Sequence, residues 1–167
     1  FTDLESVATV GIKGAATVGQ IDTLKIIIDD GDTTTSEDIS TTAGDLTLTG
    51  IETLQVVAND DFEISTLANM ADITSMTLSG IGNVFITSAA TGYALNTAIN
   101  GSALTGTGAN TFNFAAATTN GLAITGGAGI DSITGTNQSD AITGNGGNDV
   151  LVLSGGGVDT ADTVNAG

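Results

Sequence analysis

Three aspartates, Asp131, Asp140 and Asp149, recur at nine-residue intervals inside glycine-rich turns. The units that carry them are GGAGIDSIT (126–134), GTNQSDAIT (135–143) and GNGGNDVLV (144–152). Each has Gly first, Asp sixth and an aliphatic residue eighth: Ile133, Ile142 and Leu151. Glycine lets such a turn adopt φ > 0 and keeps side chains away from its carbonyl oxygens. Carboxylates among bare carbonyls are the donor set of a hard cation, and calcium takes six to eight such oxygens. A fourth, looser repetition follows. After Leu153, read as a one-residue insertion, comes SGGGVDTAD (154–162), with Ser154 replacing the first Gly and Asp159 in the ligand position.

This spacing positions its ligands if each unit is a six-residue turn followed by a three-residue strand whose eighth residue points inward. Two units then make one coil, and the first unit stacks on the third. Asp131 and Asp149 are expected one strand spacing apart, about 4.8 Å. Two bare carboxylates at that distance repel by about 3 kcal/mol at an effective dielectric of 20, and a cation removes the penalty. By the same count Asp140 stacks on Asp159. The expected calcium ligands are therefore Asp131, Asp140, Asp149 and Asp159, with the turn residues Gly126, Gly127, Ala128, Gly129, Gly135, Asn137, Gly144, Asn145, Gly146, Gly147 and Gly156. The second unit departs from the pattern, because Asn137 and Gln138 stand where a variable residue and Gly are expected. Large aliphatics are few from 126 onward, so metal binding and folding are expected to be one event there.

Two acidic stretches outside the frame are further candidates for calcium. DDGDTTTSED (29–38) places Asp29, Asp30, Asp32, Glu37 and Asp38 around Gly31, and NDDFE (59–63) offers Asp60, Asp61 and Glu63. Both also read as solvated acidic loops.

The elements that must hold these turns are short strands. Runs rich in β-branched and apolar residues occur at 24–28, 46–48, 54–57, 76–78, 84–87, 111–114 and 122–125, separated by Gly and Asn clusters. Related phrases repeat, QIDTLKIII at 20–28 and GIETLQVVA at 50–58, with weaker echoes at 72–80 and 80–88. Self-similarity without helix-forming stretches predicts an all-β, right-handed parallel β-solenoid over 1–125 that continues into a roll over 126–167. A β-sandwich of short strands is the alternative. TGTGANTFN (105–113) fits the nine-residue frame with Phe112 at the aliphatic position and Asn110 where Asp would sit. It reads as a metal-free coil, so the solenoid is expected to pass into the roll without a linker.

The nonapeptide units resemble the RTX (repeat-in-toxin) family of secreted bacterial proteins over 126–162, a specific match to under a quarter of the chain. The resemblance implies type I secretion from a Gram-negative bacterium and folding outside the cell in calcium. The Ile-x-x-Leu phrases and the Thr/Ala/Gly-rich body, together with this tail, are similar to RTX-type S-layer proteins. For that family the implied role is structural: a two-dimensional coat on the cell surface, assembled and held by calcium through self-association. An adhesin or surface stalk remains an alternative, as does the secretion module of an RTX hydrolase.

Composition narrows the function classes. Nineteen Asp and Glu stand against Lys13 and Lys25, for a net charge of −17 over 167 residues. That balance argues against nucleic acid and anionic membrane as partners and favours divalent cations. With no His and no Cys, the common triad base, a cysteine nucleophile and a His/Cys zinc site are all excluded. One Tyr, no Trp and no Arg leave no evident sugar platform or anion clamp, so the chain is expected not to be an enzyme. No apolar run is long enough to span a bilayer and no signal peptide is recognisable. A start at Phe1 and an end within a Gly/Asp pattern read as a fragment of a longer chain. Ile73 to Ile130 is a stretch of 58 residues without one charge. It reads either as a Thr/Asn-decorated solenoid surface or as a face that packs against neighbouring subunits.

Overall fold

Period-two alternation decides the architecture. In the segment TLQVVA at 53–58, Leu54, Val56 and Ala58 are buried while Thr53, Gln55 and Val57 face outward. The same alternation buries Met76 and Leu78, then Val84 and Ile86, then Phe62 and Ile64. A strand that is apolar on one face must lay that face on a second layer. The computed structural model describes residues 8–11, 20–29, 37–38, 46–64, 72–87, 98–116, 120–153 and 162–167.

The described residues form strands and no helix. In chain order these are β1 (Ala8–Gly11), β2 (Thr23–Ile28), β3 (Glu37–Asp38), β4 (Leu46–Thr49), β5 (Thr53–Ala58), β6 (Phe62–Ile64), β7 (Ser75–Gly80) and β8 (Val84–Thr87). They are followed by β9 (Ala98–Leu104), β10 (Ala109–Asn113), β11 (Ala123–Thr125), β12 (Ile130–Thr134), β13 (Ala141–Thr143), β14 (Val150–Val152) and β15 (Thr163–Asn165). A seven-stranded sheet runs β15-β13-β11-β9-β7-β5-β2 and a six-stranded sheet runs β14-β12-β10-β8-β6-β3, while β1 pairs with β4. From β5 onward the chain visits the two sheets alternately, and every pairing is parallel. Each strand thus pairs with strands one coil away, which is a parallel β-solenoid. The sandwich alternative fails because its sheets would be antiparallel.

Between the sheets lies one apolar core. Its largest members, Phe62, Phe112, Phe114, Leu54, Met76 and Leu78, belong to the earlier coils, and Ile133 and Ile142 continue it into the later ones. The seven strand runs expected from sequence all form. β12, β13 and β14 are the strands of the nine-residue units, whereas β1, β3, β6, β9 and β15 lie outside both the runs and the units; β9 (AINGSAL) carries Asn100 and Gly101 at its centre, which interrupt the apolar signal.

No linker separates solenoid from roll. β10 pairs with β12 and β11 with β13 in unbroken register across residue 126. There the coil settles to two nine-residue units: Asp131 and Asp149 hydrogen-bond across 18 residues, as do Leu122 and Asp140.

Candidate metal centre

The frame aspartates play two roles in the fold, and Asp140 plays both. In units one and two Oδ2 closes the aspartate's own turn: Gly127 N–H donates to Asp131 Oδ2 (2.8 Å), and Thr136 N–H donates to Asp140 Oδ2 (2.8 Å). In Asp140, Asp149 and Asp162 the Oδ1 accepts from the equivalent backbone position one coil earlier. Asp131 N–H donates to Asp149 Oδ1 (2.9 Å), Leu122 N–H to Asp140 Oδ1 (2.8 Å) and Asp140 N–H to Asp162 Oδ1 (2.8 Å). The carboxylates staple coil to coil and satisfy donors that the turns leave unpaired.

The placement of Oδ2 explains the leading glycine of each unit. A Cβ on Gly126 would strike Asp131 Oδ2, one on Gly135 would strike Asp140 Oδ2, and one on Gly144 would strike Asp149 Oδ2. At the fourth position Gly147 has φ +125°, and a Cβ there would meet the Gly129 carbonyl of the coil before. The turns therefore stack closely, and Gly129, Gly147, Ala128 and Thr107 line an open trough of about 450 Å³ along the turn face.

Asp131 is fully buried and Asp140 nearly so. Burial pushes the Asp131 carboxyl above its ordinary value, and the charge of Asp149 adds to the rise; hydrogen bonds from Asn110 and Gly127 oppose it. Both oxygens of Asp131 are engaged, because Asn110 Nδ2 donates to Oδ1 at 2.8 Å. Asp140 is likewise filled, with Thr136 Oγ1 donating to its Oδ1 at 3.0 Å. Unit three differs. Its second residue, Asn145, sits in the left-handed region (φ 72°), and Asp149 Oδ2 is sealed from solvent with no hydrogen-bond partner. A buried carboxylate oxygen without a donor needs a counter-charge. That orphan oxygen is the point at which a cation would supply one. Among the described residues no three carboxylates converge, so a cation here would take most of its oxygens from the backbone.

The other expected ligands fall differently. Asn145 Nδ2 donates to the Gly126 carbonyl (2.8 Å) and so ties two coils together. Gly146 N–H donates to the Gly127 carbonyl (3.3 Å) and Ala128 N–H to the Leu104 carbonyl (3.0 Å). Asn137 is exposed, its Oδ1 taken by Gln138 Nε2. Asp29 is exposed and accepts from Asn59 Nδ2 (3.1 Å). Asp61 accepts from Asn83 N and Nδ2, again one coil apart. Gly156, Asp159, Asp30 and Asp32 lie outside the described residues.

One expectation is corrected. The residue opposite Asp140 is Asp162, not Asp159: Ala141 pairs with Thr163, and the staple spans 22 residues. The last coil is thus four residues longer than the 18-residue repeat, where a one-residue insertion was expected. Thr136 was also missed. A hydroxyl residue four before the frame Asp was its only signal, and it substitutes for glycine in closing the turn of unit two.

Fold and frame together define a class, a parallel β-solenoid whose final coils obey a nonapeptide rule and are stapled by inward carboxylates. No family model, curated protein or solved structure matches the chain.

Proposed function

We propose that this chain is a calcium-binding structural segment of a secreted bacterial surface-layer protein of the RTX type. The observation that carries the reading is the in-register stack of Asp131 on Asp149 with Asp149 Oδ2 buried and unpartnered. Asp149 and Asp131, with carbonyl oxygens from the turns at 126–129 and 144–147, would hold the ion. Calcium would supply the counter-charge that lets adjacent coils carry carboxylates at one strand spacing, and so complete the fold of the last coils.

Surface chemistry supports a layer-forming role. The outward rank of the seven-stranded sheet reads Gln55, Thr77, Asn100, Thr125, Thr143, Asn165, and its neighbour reads Thr53, Ser75, Ala98, Ala123, Ala141, Thr163. The first rank opens on Lys25 of β2, which pairs with Gln55; from β5 onward neither rank holds a charge, although the chain carries −17. Two copies meeting along these ranks from β5 onward would bury no unpaired ion.

The test is a calcium titration from the EDTA-stripped state, followed by far-UV circular dichroism and light scattering, with magnesium as control. A saturable gain of β signal specific to calcium, with scattering rising in the same range, is the expected result. Absence of calcium uptake by calorimetry would sink the reading. Uptake with dispersed monomers would keep the calcium site and reject the coat in favour of a stalk.

A further inference from the structure

One inward position at the start of the strands of the six-stranded sheet changes character along the solenoid. Glu37 of β3 occupies the register position opposite Phe62, and from β6 onward the rank runs Phe62, Val84, Asn110, Asp131, Asp149. The rank is apolar for two coils, then an amide, then a carboxylate twice. Asn110 is 3% exposed and uses both ends of its side chain. Its Oδ1 accepts from Val84 N–H (2.9 Å), and its Nδ2 donates to Asp131 Oδ1 (2.8 Å). On one side, therefore, Asp131 faces a donor, and on the other it faces a second carboxylate.

We propose that Asn110 is a built-in substitute for a cation, closing the carboxylate rank on its N-terminal side so that the earlier coils stand without calcium. The inference rests on the calcium reading above, and it says where the ion requirement stops. An ionised carboxylate only accepts hydrogen bonds, whereas an amide both donates and accepts. At this rung the amide supplies what two facing carboxylates would need from a metal. The coils before it are filled instead by apolar side chains, with Phe62, Val84 and Ile86 fully buried. After it come Phe112, Phe114, Leu122 and Ile124, and from residue 126 onward the buried large apolar side chains among the described residues thin to Ile133 and Ile142. Asn110 thus stands on the last coil before the apolar core thins.

The test uses the full 167-residue chain as wild type, Asn110→Asp and Asn110→Ala. Each is unfolded by denaturant in EDTA and in millimolar calcium, and each is titrated with calcium chloride in a calorimeter. Asp at 110 places two buried carboxylates one strand spacing apart. Its folding equilibrium constant in EDTA is expected to fall by about 100-fold relative to wild type. Calcium is expected to restore it to within about tenfold, with one more ion bound than in wild type. The Asn110→Ala variant is expected to lose about tenfold in EDTA and to recover none of it specifically with calcium, since it removes the donor without adding a ligand. Stability of Asn110→Asp equal to wild type in EDTA would overturn the proposal. So would failure to recover in calcium with no extra ion. A wild type that takes up no calcium would instead bring down the underlying calcium reading, and the substitute role with it.

Discussion

Replacing Asp149 by Asn should stabilise the calcium-free protein and at the same time abolish its response to calcium. The amide keeps an Oδ1 to accept the Asp131 N–H, now at 2.9 Å, so the staple between coils survives. What changes is the charge. Two carboxylates at a strand spacing of about 4.8 Å repel by about 3 kcal/mol at an effective dielectric of 20. The new NH₂ stands where Oδ2 has no partner, and its own missing acceptor returns about 1–2 kcal/mol of cost. The net gain in EDTA is about 1–2 kcal/mol, or a Tm higher by about 2–8 °C for a chain of this size. In millimolar calcium the order inverts, because the wild type gains and the variant does not. Scanning calorimetry in EDTA and in calcium reads both effects. A variant less stable than wild type in EDTA, yet gaining as much from calcium, would refute the electrostatic argument.

The remaining expectations follow from packing and from proton linkage. Ile133→Ala empties a fully buried site between Phe112 and Leu151 and should cost about 2–5 kcal/mol by urea unfolding. Val152→Ser, at a position 42% exposed, should stay within about 0.5 kcal/mol in the same assay. Gly147→Ala forces a Cβ onto the Gly129 carbonyl at φ +125° and should cost about 2 kcal/mol or more; a wild-type urea midpoint would show that the turns do not stack as described. Because the folded protein holds the Asp131 proton more tightly than the unfolded chain, stability from this group is gained on acidification and lost as pH rises through the raised folded value. In EDTA the wild type should therefore gain on Asp131→Asn as pH falls from neutral toward the ordinary carboxylate value near 3.8, and a difference between the two that ignores pH would contradict the assignment.

Much of the architecture is legible in the chain because its signals are local. Strand runs such as LQVV at 54–57 and VFIT at 84–87 alternate inward and outward, and that alternation survives folding unchanged. The nine-residue frame determines an 18-residue coil, since two short turns and two short strands leave no slack, and so it places Asp131 over Asp149. Asn110 in the Asp position is likewise readable as a departure from the pattern. Where a coil lengthens, counting fails: Asp162 rather than Asp159 meets Asp140, because register is set by strand pairing between coils and not by distance along the chain.

Tertiary structure alone decides what each carboxylate does. Asp131, Asp140 and Asp149 are alike in the frame, yet two are filled by donors and one keeps a buried oxygen without a partner. The difference comes from Gly127 and Thr136 presenting N–H groups where Asn145, with φ 72°, accompanies none. A donor's direction depends on backbone torsions and on the coil stacked beside it. Residue type and spacing could bring the carboxylates to the turns, but only the assembled coils determine which of them is left to seek a cation.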